Sequence, residues 1–245
     1  MKPVLLVIAH GSRDPRHAAT VHALVRRVRS LRPGVRVETG FLDFNIPSVQ
    51  GVLESLAAEG VRDVVALPLL LTRAFHAKAD IPAVLREAPP QLRIRQAEVL
   101  GPSPLLLSAL ERRLYEAGLT PADKSSTGVV LASAGSTDPE AIAVIADIAR
   151  EWRHTGWCAV RPAFASAALP RTEDAVRELR ALGCARVAVA PYVLAPGFLP
   201  DRIARGAADA DVLAEVLGPA PEVARVLLRR YDAASARALR LSVSA

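Results

Sequence analysis

The chain repeats itself, and this limits what it can fold into more than any other feature. Ala97-Glu98-Val99-Leu100-Gly101-Pro102 recurs letter for letter as Ala214-Glu215-Val216-Leu217-Gly218-Pro219. Gly11-Ser12-x-Asp14-Pro15 returns as Gly135-Ser136-x-Asp138-Pro139. Phe41, Pro47, Gly60 and Pro68 are each answered 123 positions later by Phe164, Pro170, Gly183 and Pro191. In a chain of 245 residues that offset is close to half the length. Matched turn residues at matched spacing specify the same run of elements twice, so the chain is a duplicated domain.

Each half reads as strands alternating with helices. In the first, the aliphatic run 4–9 stops at His10, Gly11-Ser12 turns the chain, and Asp14-Pro15 suits the cap and first turn of a helix. Ala18, Val21, Leu24, Val25, Val28 and Leu31 then fall at three- and four-residue steps. Further strands are expected over 35–42, 64–67 and 92–96. Further helices are expected over about 48–59, from near 78, and over 104–117. Such alternation means βαβ units on a parallel sheet. The expected fold class is α/β: a tandem duplication of two doubly wound, flavodoxin-like domains, each with a four-stranded parallel core sheet flanked by helices. The polar, breaker-rich stretch 118–128 reads as a linker, which places the domains at 1–120 and 127–245.

Composition narrows the function classes. Hydrophobic residues make up 51% of the chain, ample for two cores. The apolar run 64–71 is broken by Pro68 and falls far short of the ~20 residues that span a bilayer. The first strand follows Met1-Lys2-Pro3 with no charged and apolar leader, so a cytoplasmic protein with no membrane partner is expected. Cys158 and Cys184 lack metal-site spacing and suggest no disulfide framework. The net charge of +6 fits either an arginine-rich surface or an anionic ligand. Aromatics at 4%, with no basic and aromatic interleaving, argue against nucleic acid. No glycine-rich phosphate loop follows any strand, so nucleotide binding has no support.

The duplication also serves as an internal control. Where the first copy has His10 the second has Ala134, and where it has His76 the second has Leu199. The turns and prolines recur without either histidine, so the fold does not need them. In a doubly wound sheet the first and third strands are neighbours at ~4.8 Å, beside the switch point where ligands bind. His10 and His76 can therefore meet at one cleft, where neutral imidazoles could hold a divalent metal or take up a proton. Asp43, matched by Ser166, is either a third group or a loop and capping acid. Arg13, Arg73 and Lys78 flank the histidines, as carboxylate partners or as solvated charges. The loop 69–75 offers a flat apolar wall suited to a planar ring. Ser12 lacks a nucleophile elbow and recurs as Ser136, which reads as a turn residue. His17 and His22, five apart on one helix, share no face and read as solvated.

Taken together, His10-Gly11-Ser12-Arg13, Phe41-Leu42-Asp43 with Pro47, and Pro68-Leu69-Leu70-Leu71-Thr72 through His76-Ala77-Lys78-Ala79-Asp80-Ile81-Pro82 resemble the sirohydrochlorin chelatases. These are class II, ATP-independent chelatases of the CbiX/SirB type. The resemblance covers both halves, because the longer members are also tandem duplications with the histidines in the first copy. It implies a chelatase-like fold and insertion of Fe2+ or Co2+ into sirohydrochlorin, for sirohaem or cobalamin, with no cofactor beyond the substrate metal. It implies that His10 and His76 bind the metal and that one of them accepts a pyrrole proton. Many members have Glu where this chain has the shorter Asp43. Some cobalt-associated members carry a histidine-rich tail, and 233–245 has no histidine, which tilts the expectation toward iron. The expected substrate contacts are Ser12, Arg13, Ile46, Leu71, Thr72, Arg73, Ala74, Phe75 and Lys78, in a cleft between the two domains of a monomer. The competing expectation is a cytosolic tetrapyrrole or metal carrier without turnover.

Overall fold

A strand whose side chains are all buried has to be covered on both faces. β1 (Val4–Ala9) is such a strand, with six buried residues out of six. It pairs in parallel with β2 (Val37–Phe41) on one side and β3 (Asp63–Pro68) on the other, and β4 (Arg93–Gln96) extends the sheet beyond β3. The strand order β2-β1-β3-β4 is that of a doubly wound fold, with its switch point beside β1. β5 (Thr127–Ser133), β6 (Ala159–Phe164), β7 (Arg186–Tyr192) and β8 (Val212–Leu213) repeat it as β6-β5-β7-β8, again all parallel. The computed structural model describes residues 2–73 and 76–243, with the backbone alone at His76 and at 237–243.

One face of the first sheet packs Leu6, Ile8, Val64 and Ala66 against α2 (Val49–Ala58) and α3 (Ile81–Arg86), through Leu53, Leu56 and Ile81. Side-chain alternation turns Leu5 and Val7, both fully buried, to the opposite face. α1 (Pro15–Leu31) supplies Val21, Leu24, Val25 and Val28 to the core and packs with α8 (Pro221–Val243), which also lies against β3. Asp14 caps α1 by accepting from the Arg16 amide at 2.9 Å, and Pro15 is its first residue.

The division between units differs from the one expected at 118–128. Unit one comprises residues 1–101 and 219–245, and unit two comprises 102–218. α4 (Pro104–Glu116) does not cover the first sheet. It packs on β7, and Arg113 donates to the Leu217 carbonyl at 3.2 Å. α8 fills the equivalent place in unit one, where Arg230 donates to the Leu100 carbonyl at 3.1 Å and the Tyr231 hydroxyl to the Pro3 carbonyl at 2.7 Å. The fourth helix of each repeat therefore completes the unit built by the other repeat. The crossings fall at Gly101-Pro102 and Gly218-Pro219, the last letters of the exact repeat.

The supposed linker has other work. Gly118 ends α4 with a left-handed φ of 103°, and Pro121–Ser126 forms a 3-10 turn in which Asp123 accepts from the Thr120 amide at 2.7 Å. β5 begins at the next residue. Unit two is otherwise built like unit one, with α6 (Thr172–Ala181) and α7 (Phe198–Gly206) on one face and α5 (Pro139–Arg153) beside β5 and β6. Among the described residues no helix is long and apolar enough to cross a membrane.

Candidate functional site

The carboxyl end of β1 is built around Gly11. Its φ of 95° is a conformation that side chains rarely adopt, and a Cβ there would lie 1.8 Å from the Asp43 carbonyl oxygen. Only glycine lets the β1 turn run against the β2 turn. The two are then stitched together: Leu42 donates its amide to the Ala9 carbonyl at 3.0 Å, and Asp43 to the His10 carbonyl at 2.9 Å. Asn45 Oδ1 accepts from the Ser12 amide at 2.8 Å. Ser12 Oγ accepts from the Asp14 amide at 3.1 Å, which makes Ser12 a turn residue. The Arg16 guanidinium holds the Asp14 carboxyl below the usual carboxylate range.

His10 is half-buried at the head of this cradle. Its Nδ1 lies 3.3 Å from the Gly11 carbonyl oxygen. A carbonyl only accepts, so in the tautomer with its proton on Nδ1 the ring donates to Gly11 and Nε2 is the nitrogen that can take a metal or a proton. Phe44 stacks on the imidazole, with ring centres 6.3 Å apart and planes 29° apart. The Arg13 guanidinium sits 5.2 Å from the Phe44 centroid, a cation–π contact. Phe44 holds a left-handed φ of 61°, with its amide donating to Asp43 Oδ1 at 2.8 Å. It nevertheless stays 50% exposed, and Ile46 is 87% exposed. Asp43 is exposed, and its described role is to fix this turn.

Several expectations are redistributed by this geometry. Of the apolar wall expected over 69–75, two residues belong to the core: Leu69 is buried with its amide on the Ile8 carbonyl, and Leu70 packs against the core. Leu71 and Thr72 are half-buried and Arg73 is exposed. The open apolar surface in the described part of the site is instead Phe44 and Ile46. Ala74 and Phe75 lie outside the described residues, as does the His76 side chain, whose backbone opens a π-helical turn, His76–Asp80. Beside that turn, Arg73, Lys78, Gln96 and Glu98 line an open pocket of about 310 Å³. Among the described residues no three His, Cys, Asp or Glu side chains gather to hold a metal ion.

His17 departs most from its expectation. It is half-buried, and its Nδ1 is buried with no hydrogen-bond partner among the described residues. Burial, then the charge of His10, pushes its pKa below the usual histidine value, against a smaller opposing pull from Asp14. Of these two helix histidines, His22 is the exposed one, with an edge against Phe41. Sequence reasoning had missed Phe44, Asn45 and His17. Comparison with the twin could have flagged the first two, since Ala167 and Ala168 stand in their places.

Comparison with known proteins identifies the family. The CbiX family model matches twice, over residues 4–117 and 128–234. A sirohydrochlorin cobaltochelatase from Priestia megaterium is 32% identical over 210 residues, covering 83% of this chain and 67% of the relative. A sirohydrochlorin ferrochelatase from Bacillus subtilis is 28% identical, covering 84% and 79%. The solved structure of SirB from Bacillus subtilis with Fe3+ superposes with a TM-score of 0.83 at 25% identity, over 97% of each chain. With both halves matched by the model and the same paired α/β units in the solved relative, the chain belongs to the CbiX family.

Proposed function

We propose that this chain is a sirohydrochlorin chelatase that inserts Fe2+ or Co2+ into the macrocycle. One observation carries the reading to this chain's own residues. At the switch point of the first sheet, the His10 imidazole stands beside the exposed face of Phe44, while the second unit keeps the fold without either. Insertion must strip the metal's ligands, remove two pyrrole protons and deliver the ion to four ring nitrogens. Neutral imidazole suits this, because it holds a divalent ion, releases it and accepts a proton near neutral pH. His10 and His76 are assigned to the metal and to the first proton, and Asp43 to the second proton or to the incoming ion. Phe44, Ile46, Leu71, Ala74 and Phe75 meet the ring plane. Arg13, Arg73 and Lys78 meet its carboxylates, and Ser12 and Thr72 border the ring. The reaction needs no nucleotide and no redox group, and it is assigned to a monomer in the cytoplasm.

The test is an anaerobic mixture of Fe2+ or Co2+ and sirohydrochlorin with substoichiometric protein, followed by the tetrapyrrole absorption spectrum. Many turnovers per chain are expected with at least one metal, and the ratio of the two rates identifies the preferred ion. A spectral change that stops at one equivalent with both metals would contradict catalysis and favour a carrier.

A further inference from the structure

Cys158 and Cys184 show no pattern in sequence, yet they meet in the fold. Cys158 directly precedes β6 and Cys184 lies just before β7, at the amino-terminal edge of the second sheet. β6 and β7 flank β5 on opposite sides, so contact between the two thiols has to cross the central strand. It does: Cys184 Sγ lies 3.7 Å from Cys158 Sγ, and both are free thiols. The crossing is possible because β5 has Gly128 at that level. A Cβ there would come within 2.8 Å of Cys184 Sγ and 2.9 Å of the Leu179 side chain.

Unit one shows what this place looks like without thiols. Gly128 pairs with Val187 as Val4 pairs with Val64, and Val35 and Val61 lie 123 positions before Cys158 and Cys184. Val4 and Val35 are buried there, and Val61 packs against the core. The second unit has thus lost a side chain from its central strand and gained two thiols around the gap, three matched differences at one spot. One buried cysteine acts as a small apolar residue and asks for no explanation. Here the partners differ in access, Cys158 being exposed and Cys184 only 7% exposed.

We propose that Cys158 and Cys184 are a redox-active pair, closed to a disulfide by a hydroperoxide and reopened by a dithiol reductant. Cys158 is the group an oxidant reaches first. Its thiolate sulfur attacks the O–O bond, giving a sulfenic acid and releasing water. Cys184 Sγ then attacks the sulfenic sulfur, the S–S bond forms, and the hydroxyl leaves as a second water. Two thiols and one hydrogen peroxide thus become one disulfide and two waters. Burial, followed by contact with Cys158, pushes the Cys184 thiol up, which fits the second, resolving role. The sulfurs must close from 3.7 Å to about 2.05 Å for the bond to form. The bond straps β6 to β7 across β5 and joins residues 26 apart in sequence.

The test treats the full chain with one equivalent of hydrogen peroxide, removes the peroxide, and follows intact mass, peptide map and melting. The expected product is a monomer about 2 Da lighter, with a Cys158–Cys184 cross-linked peptide that dithiothreitol reverses. Its Tm should rise by roughly 5–10 °C. Cys184→Ser should leave Cys158 as a sulfenic acid that dimedone labels, while the wild-type chain is labelled far less. Oxygen added to Cys158 with Cys184 still open to alkylation after unfolding would overturn the proposal. So would dimers linked through Cys158, or equal dimedone labelling of the wild type and Cys184→Ser.

Discussion

The turns after β1 and β5 share a backbone and differ in nearly every side chain that could do chemistry. Gly11 and Gly135 have φ of 95° and 93°, and a Cβ would lie 1.8 Å from the Asp43 carbonyl in one and 1.9 Å from the Ser166 carbonyl in the other. Phe44 and Ala167 hold left-handed φ of 61° and 60°, and the following prolines, Pro47 and Pro170, both take cis bonds. Asp43 donates its amide to the His10 carbonyl at 2.9 Å, as Ser166 does to the Ala134 carbonyl at 3.0 Å. Ser12 and Ser136 accept from the amides of the next capping aspartates, at 3.1 and 3.0 Å. On this common frame the first turn mounts His10, Arg13, Asp43, Phe44 and Asn45, and the second Ala134, Thr137, Ser166, Ala167 and Ala168. What persists between the copies is therefore what the fold requires. What differs is free to serve a function.

That separation can be broken at several points. The largest effect should come from a residue the fold requires. Gly11→Ala and Gly135→Ala each drive a Cβ into a backbone carbonyl that cannot move aside, and each should cost about 3 kcal/mol or more in urea unfolding. Similar losses support a shared frame, whereas a silent substitution in either unit would break it. A smaller effect should follow Phe44→Ala, which installs the twin's residue. Stability should stay within about 0.5 kcal/mol, because the side chain is half in solvent. The KM for sirohydrochlorin should rise roughly 10-fold as a stacking face is lost. An unchanged KM would remove Phe44 from the substrate surface.

The smallest effect concerns His17. Its folded pKa lies below the usual value of about 6.5, so below that pH the unfolded chain binds more protons than the folded one. The stability this neutral ring provides is complete above about pH 6.5 and is lost as pH falls toward the lowered folded value. His17→Gln should flatten the dependence of unfolding free energy on pH between about 7.5 and 5.5 by less than one proton's worth of slope. An identical slope in both proteins would show that His17 is solvated, as the sequence suggested.

Local chemistry was legible in the sequence, and partner choice was not. Aliphatic runs, Asp14-Pro15 and the spaced turn residues announced the strands, the cap of α1 and two parallel sheets, because those signals act within a few residues. The exchange of α4 and α8 left no such trace. An amphipathic helix after Gly-Pro is equally suited to either sheet, and the identical Gly101-Pro102 and Gly218-Pro219 turns hide which one it meets. At the site, His10 stood out because the twin lacks it. Phe44 did not, since its exposure and left-handed backbone arise from the closure of the Gly11 turn against Asp43. His17 was misread because helix-face reasoning compared it with His22 and ignored what lies across the turn. The thiol pair stayed hidden for a similar reason, as spacing along the chain says nothing about contact across a strand.

The claim that the first turn carries the chemistry is tested most directly by giving it the twin's residue at its centre. His10→Ala should lower the anaerobic rate of Fe2+ and Co2+ insertion roughly 100-fold or more, the scale of losing a proton-transfer group that also holds the metal. Its unfolding midpoint should match the wild type, because Ala134 occupies the same backbone in the second unit without harm. Insertion within about threefold of the wild-type rate, with the same midpoint, would place the chemistry elsewhere and reduce His10 to a bystander.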